Sequence, residues 1–210
     1  RALGSYGYGV FSYVLGLAAF FTTFQDIGVT GTLTREGSKN PERLQSYISA
    51  SLAIKAVLLL ISLALVLFVT PLFLNIPEAI ALLPIAGLLI AFDSLRDFNT
   101  GIIRAKEKMQ VEAFIAVFTN IAITALGILF IILEKTSKGV LVGYTLGSLA
   151  GTLLSFWIFR HYFANIFRYF DKKLIGPILK EAWPFALTGV FGSLMITVDT
   201  IMLGWLRGAE

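Results

Sequence analysis

Six apolar segments, each long enough to cross a lipid bilayer, constrain what this 210-residue chain can fold into. A helix needs about 20 mainly apolar residues to span the hydrocarbon core. The chain is 57% hydrophobic and only 14% charged, whereas a soluble domain carries about 25% charged residues. These values predict an all-α integral membrane protein and exclude a soluble globule and a disordered chain. The predicted spans are residues 10–33, 47–71, 79–102, 111–133, 139–163 and 184–206.

Lys and Arg are unevenly divided between the loops. If the spans alternate in direction, 11 of these residues lie on one side of the membrane and 4 on the other. Because cytoplasmic loops carry the excess of Lys and Arg, we expect the loops near residues 34–46, 103–110 and 160–182 in the cytoplasm. The protein is then a multi-pass protein of the cytoplasmic (inner) membrane. Its net charge of +4 reflects topology, so no nucleic acid is expected as a partner.

The longest connection, between the fifth and sixth spans, has its own pattern. Apolar residues recur at spacings of three and four from Phe163 to Leu174, and basic residues occupy the other positions. This pattern predicts an amphipathic helix over residues 163–182 that lies in the cytoplasmic interface. We expect Gly176 and Pro177 to end it. An anchored connector explains the pattern, and a regulatory lipid sensor is the alternative.

The fifth span carries a doubled GxxxG motif at Gly143, Gly147 and Gly151. Small residues four positions apart let two helix backbones approach closely. We interpret the motif as packing within the chain. A dimer face would use the same pattern, so the oligomeric state stays open.

Charged residues inside the spans are the main functional signal, because such groups are costly in a membrane and usually face a polar interior or one another. At 1.5 Å per residue, four of those in the first three spans, Asp26, Lys55, Asp93 and Arg96, lie about 10–15 Å from the cytoplasmic ends. One charge stands apart, in the outer half of the last span. The six residues are Asp26, Lys55, Asp93, Arg96, Asp97 and Asp199.

Two interpretations of these charges compete. In the first, Asp26–Lys55 and Asp93–Arg96 are neutralising pairs that hold helices together. In the second, the charges line a water-filled cavity that binds a solute or a coupling ion. We favour the cavity, because three adjacent spans share one charged layer.

Other chemistry is sparse. The chain has no Cys and a single His, His161, which we interpret as an interfacial residue because a metal site needs companion ligands. No nucleophile-elbow, phosphate-loop, dinucleotide or zinc-protease spacing occurs. We therefore expect no catalytic residues, no metal and no organic cofactor.

Several short strings resemble the polysaccharide (O-antigen or teichoic type) flippases of the multidrug/oligosaccharidyl-lipid/polysaccharide exporter superfamily. Two of them, residues 3–12 and 26–36, resemble the start of these proteins, and residues 104–109 resemble their next cytoplasmic loop. Residues 183–185 and 199–204 resemble the start of the second half.

The resemblance implies a two-bundle transporter of 12–14 helices. By that pattern the chain is a fragment that holds spans two to seven. Residues 1–182 then form most of the first bundle, and residues 183–210 form the first span of the second. The family moves polyprenyl-pyrophosphate-linked oligosaccharides between the two leaflets, alongside polysaccharide polymerase and assembly partners.

The resemblance also suggests roles for individual residues. Arg35 matches the family's arginine, while Asp26 and Asp199 match recurring aspartates that would bind H⁺ or Na⁺ or pair with a cation. From their depth in the membrane, Lys55 and Arg96 join Arg35 as candidate ligands of the pyrophosphate. The remaining carboxylates, Asp93 and Asp97, are candidates for ion coupling or charge pairing.

Three other functions are weighed against the flippase. A multidrug/cation antiporter of the same superfamily would favour an acidic, aromatic cavity, whereas the cations here favour an anionic substrate. A membrane-embedded glycan-processing enzyme would need catalytic carboxylates at a membrane face. A purely structural subunit would leave the charged layer unexplained.

Overall fold

Helices make up nearly all of the chain in the computed structural model, which describes residues 3–74, 76–163, 166 and 168–207. The side chain of residue 23 and those of several residues from 190 onward, Asp199 among them, lie outside the description. The eight described α-helices are α1 (Gly4–Asp26), α2 (Val29–Lys39), α3 (Leu44–Ala64), α4 (Thr70–Phe73), α5 (Pro77–Ala105), α6 (Met109–Glu134), α7 (Ser137–Phe163) and α8 (Ile175–Arg207).

Five stretches of the described residues are long and apolar enough to cross a membrane: Gly4–Asp26, Pro41–Phe73, Pro77–Ala105, Met109–Glu134 and Ser137–Phe163. They match the second to fifth predicted spans closely, which confirms the all-α membrane fold. The first span, predicted over residues 10–33, begins six residues earlier and ends at Asp26, where α1 stops. Helices are the expected solution, because a backbone in lipid must satisfy its hydrogen bonds within the segment. The predicted sixth span lies in α8, where many side chains are outside the described part.

The second span is not one regular helix. Its last turns widen into a π-helical turn, Leu65–Val69, before α4 continues. Pro71 follows directly, and a proline ring clashes with the carbonyl four residues earlier in a regular helix. The wider turn relieves that clash, and the Thr70 hydroxyl donates to the Leu65 carbonyl at 3.2 Å.

The central helix is α5, which packs on α1 and α7 along much of its length. One apolar core joins Val14 of α1 to Leu89 of α5. A second core lies toward the other end and joins Leu33 of α2 to Phe98 of α5 and Phe159 of α7. Burying these side chains between helices fixes α5 as the element that positions the site.

The GxxxG face of α7 packs against α6 within the chain, as predicted. A Cβ atom added at Gly143 would lie 2.6 Å from the carbonyl oxygen of Leu126. One added at Gly147 would lie 2.5 Å from the Cα atom of Ile123. Only glycine permits this approach, and α6 occupies the face that a dimer would have used.

The predicted amphipathic helix over residues 163–182 is wrong for its first half. Helix α7 ends at Phe163, and Arg168 and Tyr169 lie in turns before the 3-10 helix Lys172–Leu174. The Asp171 carboxylate accepts from the backbone N–H of Lys173 at 2.9 Å, a local bond that competes with a continuous helix.

Gly176 and Pro177 do not end a helix; they lie in the first turn of α8. Proline is tolerated there because the first N–H groups of a helix have no partner within it. Leu174 and Ile178 are buried against Val29 and Ile54. These two apolar side chains therefore enter the protein core instead of a membrane interface.

Candidate functional site

The first span is broken at Ile27 and Gly28, which separate α1 from α2. Both residues are in the left-handed region, with φ of 39° and 72°. Gly28 also lies directly against α8, because an added Cβ would overlap the Ala182 carbonyl oxygen and come within 2.5 Å of the Phe185 Cβ. Glycine is required here for its conformation and for the close approach of α8.

Asp26 lies at this break and joins it to α3. Its Oδ1 accepts from the Thr30 backbone N–H at 3.2 Å and from the Thr30 hydroxyl. The Nζ of Lys55 lies 3.1 Å from the same oxygen. The Lys55 side chain is 2% exposed and that of Asp26 is 33% exposed. The predicted Asp26–Lys55 pair is confirmed, with the cation buried and the carboxylate reaching an open space.

The second predicted pair is also present, on the side of α5 that faces α7. An Arg96 terminal nitrogen lies 2.9 Å from Asp93 Oδ1. Ser148 of α7 completes the group, because its hydroxyl donates to Asp93 at 2.5 Å and accepts from Arg96 at 3.2 Å. Both charged side chains are about one-fifth exposed, so this pair serves as a connection between α5 and α7.

Asp97 has no hydrogen bond or ion pair among the described residues. It is exposed, yet the charges of both pairs lie close enough to act on it. The five charges predicted for the first three spans therefore form one cluster. Two of its three carboxylates are paired and the third is free, which leaves the cluster negative overall.

A cleft of about 310 Å³ opens beside this cluster, between the broken first span, α5 and α8. Its floor contains both Asp26 and Asp97, and Phe185 contributes an aromatic wall. The full lining consists of Thr22, Asp26, Gly28, Thr30, Asp97, Thr100, Arg104, Phe185, Ala186 and Gly189.

Arg104 supplies the cation of this lining. Its Nε lies 3.0 and 3.1 Å from the two carboxylate oxygens of Glu112, and its Nη2 lies 2.6 Å from one of them. About half of the Arg104 side chain is exposed. The sequence analysis did not assign Arg104 to the site, although its position seven residues after Asp97 places both on one helix face.

The three predicted pyrophosphate ligands do not meet in this cleft. Lys55 is buried behind Asp26, and Arg96 faces α7 through Ser148. Arg35 is on the exposed surface of α2, where its Nε lies 3.6 Å from the neighbouring Glu36 carboxylate. The side chain of Asp199 lies outside the described residues.

The family model described as "Polysaccharide biosynthesis protein" matches residues 1–210 of the chain. The chain belongs to that family. It comprises the polysaccharide and O-antigen flippases of the exporter superfamily named above, so the resemblance drawn from short strings is confirmed over the whole chain. Neither a search of curated proteins nor a search of solved structures gave a match. As a member of the flippase family with several membrane-spanning helices, the protein is a multi-pass membrane protein of polysaccharide export.

Proposed function

We propose that the protein moves a polyprenyl-pyrophosphate-linked oligosaccharide across the cytoplasmic membrane by alternating access. One observation carries the proposal: a polar cleft with a half-exposed arginine lies between the broken first span and α8. By the resemblance, α8 begins the second bundle. A cleft at that junction is where rocking of one bundle against the other would open and close a path.

Arg104 is the residue best placed to bind the pyrophosphate. A guanidinium presents a planar set of donors that fits phosphate oxygens as well as it fits a carboxylate. Arg104 already uses this geometry toward Glu112. A pyrophosphate in the cleft would replace Glu112 as the acceptor, with Arg35 as a second cation from α2. Lys55 and Arg96 could contribute only after separating from Asp26 and Asp93.

The carboxylates of the cleft suit the coupling step. Asp97 has no ionic partner among the described residues, and Asp26 is open to the cleft on one side. An anionic substrate in the cleft would increase the affinity of these carboxylates for a proton or Na⁺, because a nearby negative charge disfavours the free carboxylate. We include Asp97 and Asp26, together with Asp199 from the sequence analysis, as candidates for H⁺ or Na⁺ coupling. Asp93, also a candidate by sequence, is paired with Arg96 and Ser148, and we assign it to charge pairing.

The orientation follows from the charge bias. Arg104, Lys106 and Lys108 lie at the same end of the bundle as the basic connector before α8. This end would face the cytoplasm, where the lipid-linked substrate is made. Polymerase and assembly partners on the other side of the membrane are part of the same proposal.

Comparing two single variants in the natural full-length protein, reconstituted in vesicles, tests the role of Arg104. Arg104→Ala should reduce translocation of a labelled polyprenyl-pyrophosphate sugar about tenfold or more, because a charge-assisted hydrogen bond is worth about 1.5–3 kcal/mol. Glu112→Ala breaks the same ion pair but leaves the arginine, so it should retain transport.

Equal losses in the two variants would reduce the Arg104–Glu112 pair to a structural contact and remove Arg104 from the site. Lys108→Ala, in the loop between α5 and α6, controls for a general loss of basic charge. Arg35→Ala is measured alongside, and unchanged transport would remove Arg35 from the proposed path.

An organic-cation antiporter is the second candidate, favoured by the two carboxylates and the aromatic wall of the cleft. Transport of a fluorescent organic cation that depends on Asp97, together with no movement of the labelled lipid sugar, would decide for the antiporter. The reverse result would decide for the flippase.

A further inference from the structure

A second cavity, almost wholly apolar and of about 380 Å³, lies between α3 and the connector before α8. It is lined by Ser49, Leu52, Ala53 and Ala56 of α3 and by Ile166 and Phe170 of the connector before α8. We call it the connector groove. It shares no lining residue with the cleft.

The groove is a built feature of α3. Its four α3 residues follow the three-and-four spacing of a single helix face, and three of them are small. The hydroxyl of Ser49 donates to the Ile166 carbonyl at 2.6 Å, which holds the connector against the helix. These small side chains leave open space between α3 and the connector.

Basic residues flank the connector side of the groove. Arg168, Lys172 and Lys173 are all exposed. Within the part of the chain that the structure describes, none of them forms an ion pair with a carboxylate. The nearby Asp171 instead accepts a backbone N–H. The apolar connector groove thus lies next to basic side chains that have no ion-pair partner among the described residues.

We propose that the connector groove binds one acyl chain of an anionic phospholipid, whose phosphate is held by the basic residues of the connector. Apolar surface takes the chain, and Lys and Arg near a membrane surface attract anionic headgroups. The pattern that predicted an amphipathic helix thus has a different structural basis. Its aromatic and basic residues supply the wall and the rim of a lipid site.

We assign the groove to a membrane phospholipid and not to the tail of the transported substrate, because the groove shares no lining residue with the cleft and uses α3 positions other than Lys55. Lys55 of α3 is directed at Asp26 on the cleft side, whereas Ala53 and Ala56 line the groove. A lipid in the groove would have its phosphate at the connector, away from Arg104. This binding does not depend on the transport function proposed above.

Native mass spectrometry of the purified natural protein, titrated with phosphatidylglycerol or phosphatidylcholine, tests the proposal. We expect one retained phosphatidylglycerol and no equivalent retention of phosphatidylcholine. The double variant Ala53→Leu/Ala56→Leu fills the groove and should remove the retained lipid. Lys172→Gln/Lys173→Gln leaves the groove intact and should reduce retention of phosphatidylglycerol to the level of phosphatidylcholine.

Two matched variants control for general effects. Ala125→Leu enlarges an exposed position of α6, and Lys135→Gln/Lys138→Gln removes two exposed charges where α6 ends and α7 begins. Both should bind phosphatidylglycerol as the unmodified protein does. The charge variant keeps the test decisive if the groove-filling variant fails to fold.

Three results would overturn the proposal. The first is equal retention of the two lipids, and the second is retention that neither pair of substitutions alters. The third is displacement of phosphatidylglycerol from the groove by a polyprenyl phosphate at equal concentration, which would make the substrate tail the occupant.

Discussion

The two faces of α5 carry similar charges in different surroundings. On the face toward α7, Asp93 and Arg96 share Ser148, and the Thr152 hydroxyl donates to the Phe92 carbonyl at 2.9 Å. On the other face, Asp97 lies in an open cleft with no partner among the described residues. The first face is closed by small polar residues of α7, and the second is kept open by the break between α1 and α2.

This difference separates two uses of charge in a membrane. A pair that is fully hydrogen-bonded between two packed helices contributes to assembly. A pair with one member at a cavity, such as Asp26–Lys55, can exchange its partner for a ligand or an ion. Depth in the span was the same signal for both, so depth alone does not distinguish structure from function.

Neutralising each pair in full should give the largest difference between the faces. Asp26→Asn/Lys55→Gln is expected to lower transport about tenfold or more, since hydrogen bonds to charged groups contribute about 1.5–3 kcal/mol. Asp93→Asn/Arg96→Gln keeps polar groups between α5 and α7 and should retain transport. Translocation into vesicles, normalised to the amount of folded protein, measures both double variants. Unchanged transport in Asp26→Asn/Lys55→Gln would exclude the Asp26–Lys55 pair from the path.

Removing the buried Lys55 cation should destabilise the protein more than removing the cation of an exposed ion pair. Lys55→Met leaves the Asp26 carboxylate in a partly buried site without its cation. We expect a cost of about 3 kcal/mol, at the lower end for breaking a buried pair, because Asp26 is one-third exposed. Lys39→Met is the control, because the exposed Lys39–Glu36 pair is worth about 0–1 kcal/mol. Thermal unfolding in detergent gives both values, and similar midpoints for the two variants would contradict the burial of Lys55.

A smaller effect is expected from closing the break itself. Gly28→Ala places a side chain at positive φ and against α8, at a cost of about 1–3 kcal/mol. Gly192→Ala is the control, because a Cβ added at Gly192 would meet no atom within 4 Å, and it should be neutral or slightly stabilising. The two unfolding midpoints in detergent test this, and a Gly28 variant as stable as the Gly192 variant would show that α8 does not rest on the break.

The spans and the two ion pairs could be predicted from the sequence because both depend on local pattern. Apolar length determines which segments cross the membrane, and depth in neighbouring spans aligned Asp26 with Lys55. Arg96 follows Asp93 by three positions, close to one helical turn.

The remaining features depend on contacts between distant segments. Gly28 lies inside the first predicted span, where the sequence did not indicate a helix break. Its positive φ and its close contact with α8 appear only in the folded chain. Arg104 of α5 contacts Glu112 of α6 across a loop, and the spacing of residues within one helix does not predict such a contact. The connector had a helical period, yet Leu174 and Ile178 were drawn into a core with α2 and α3 that the sequence pattern could not specify.

The contact of Gly28 with Ala182 and Phe185 also divides α8 unequally. At 1.5 Å per residue, about 12 Å of the helix lies before this contact and about 35 Å after it. Rotation of α8 about this point displaces its far end about three times as much as its near end. If α8 rotates about this contact during transport, a small shift of the connector would produce a larger displacement at the far end of the helix.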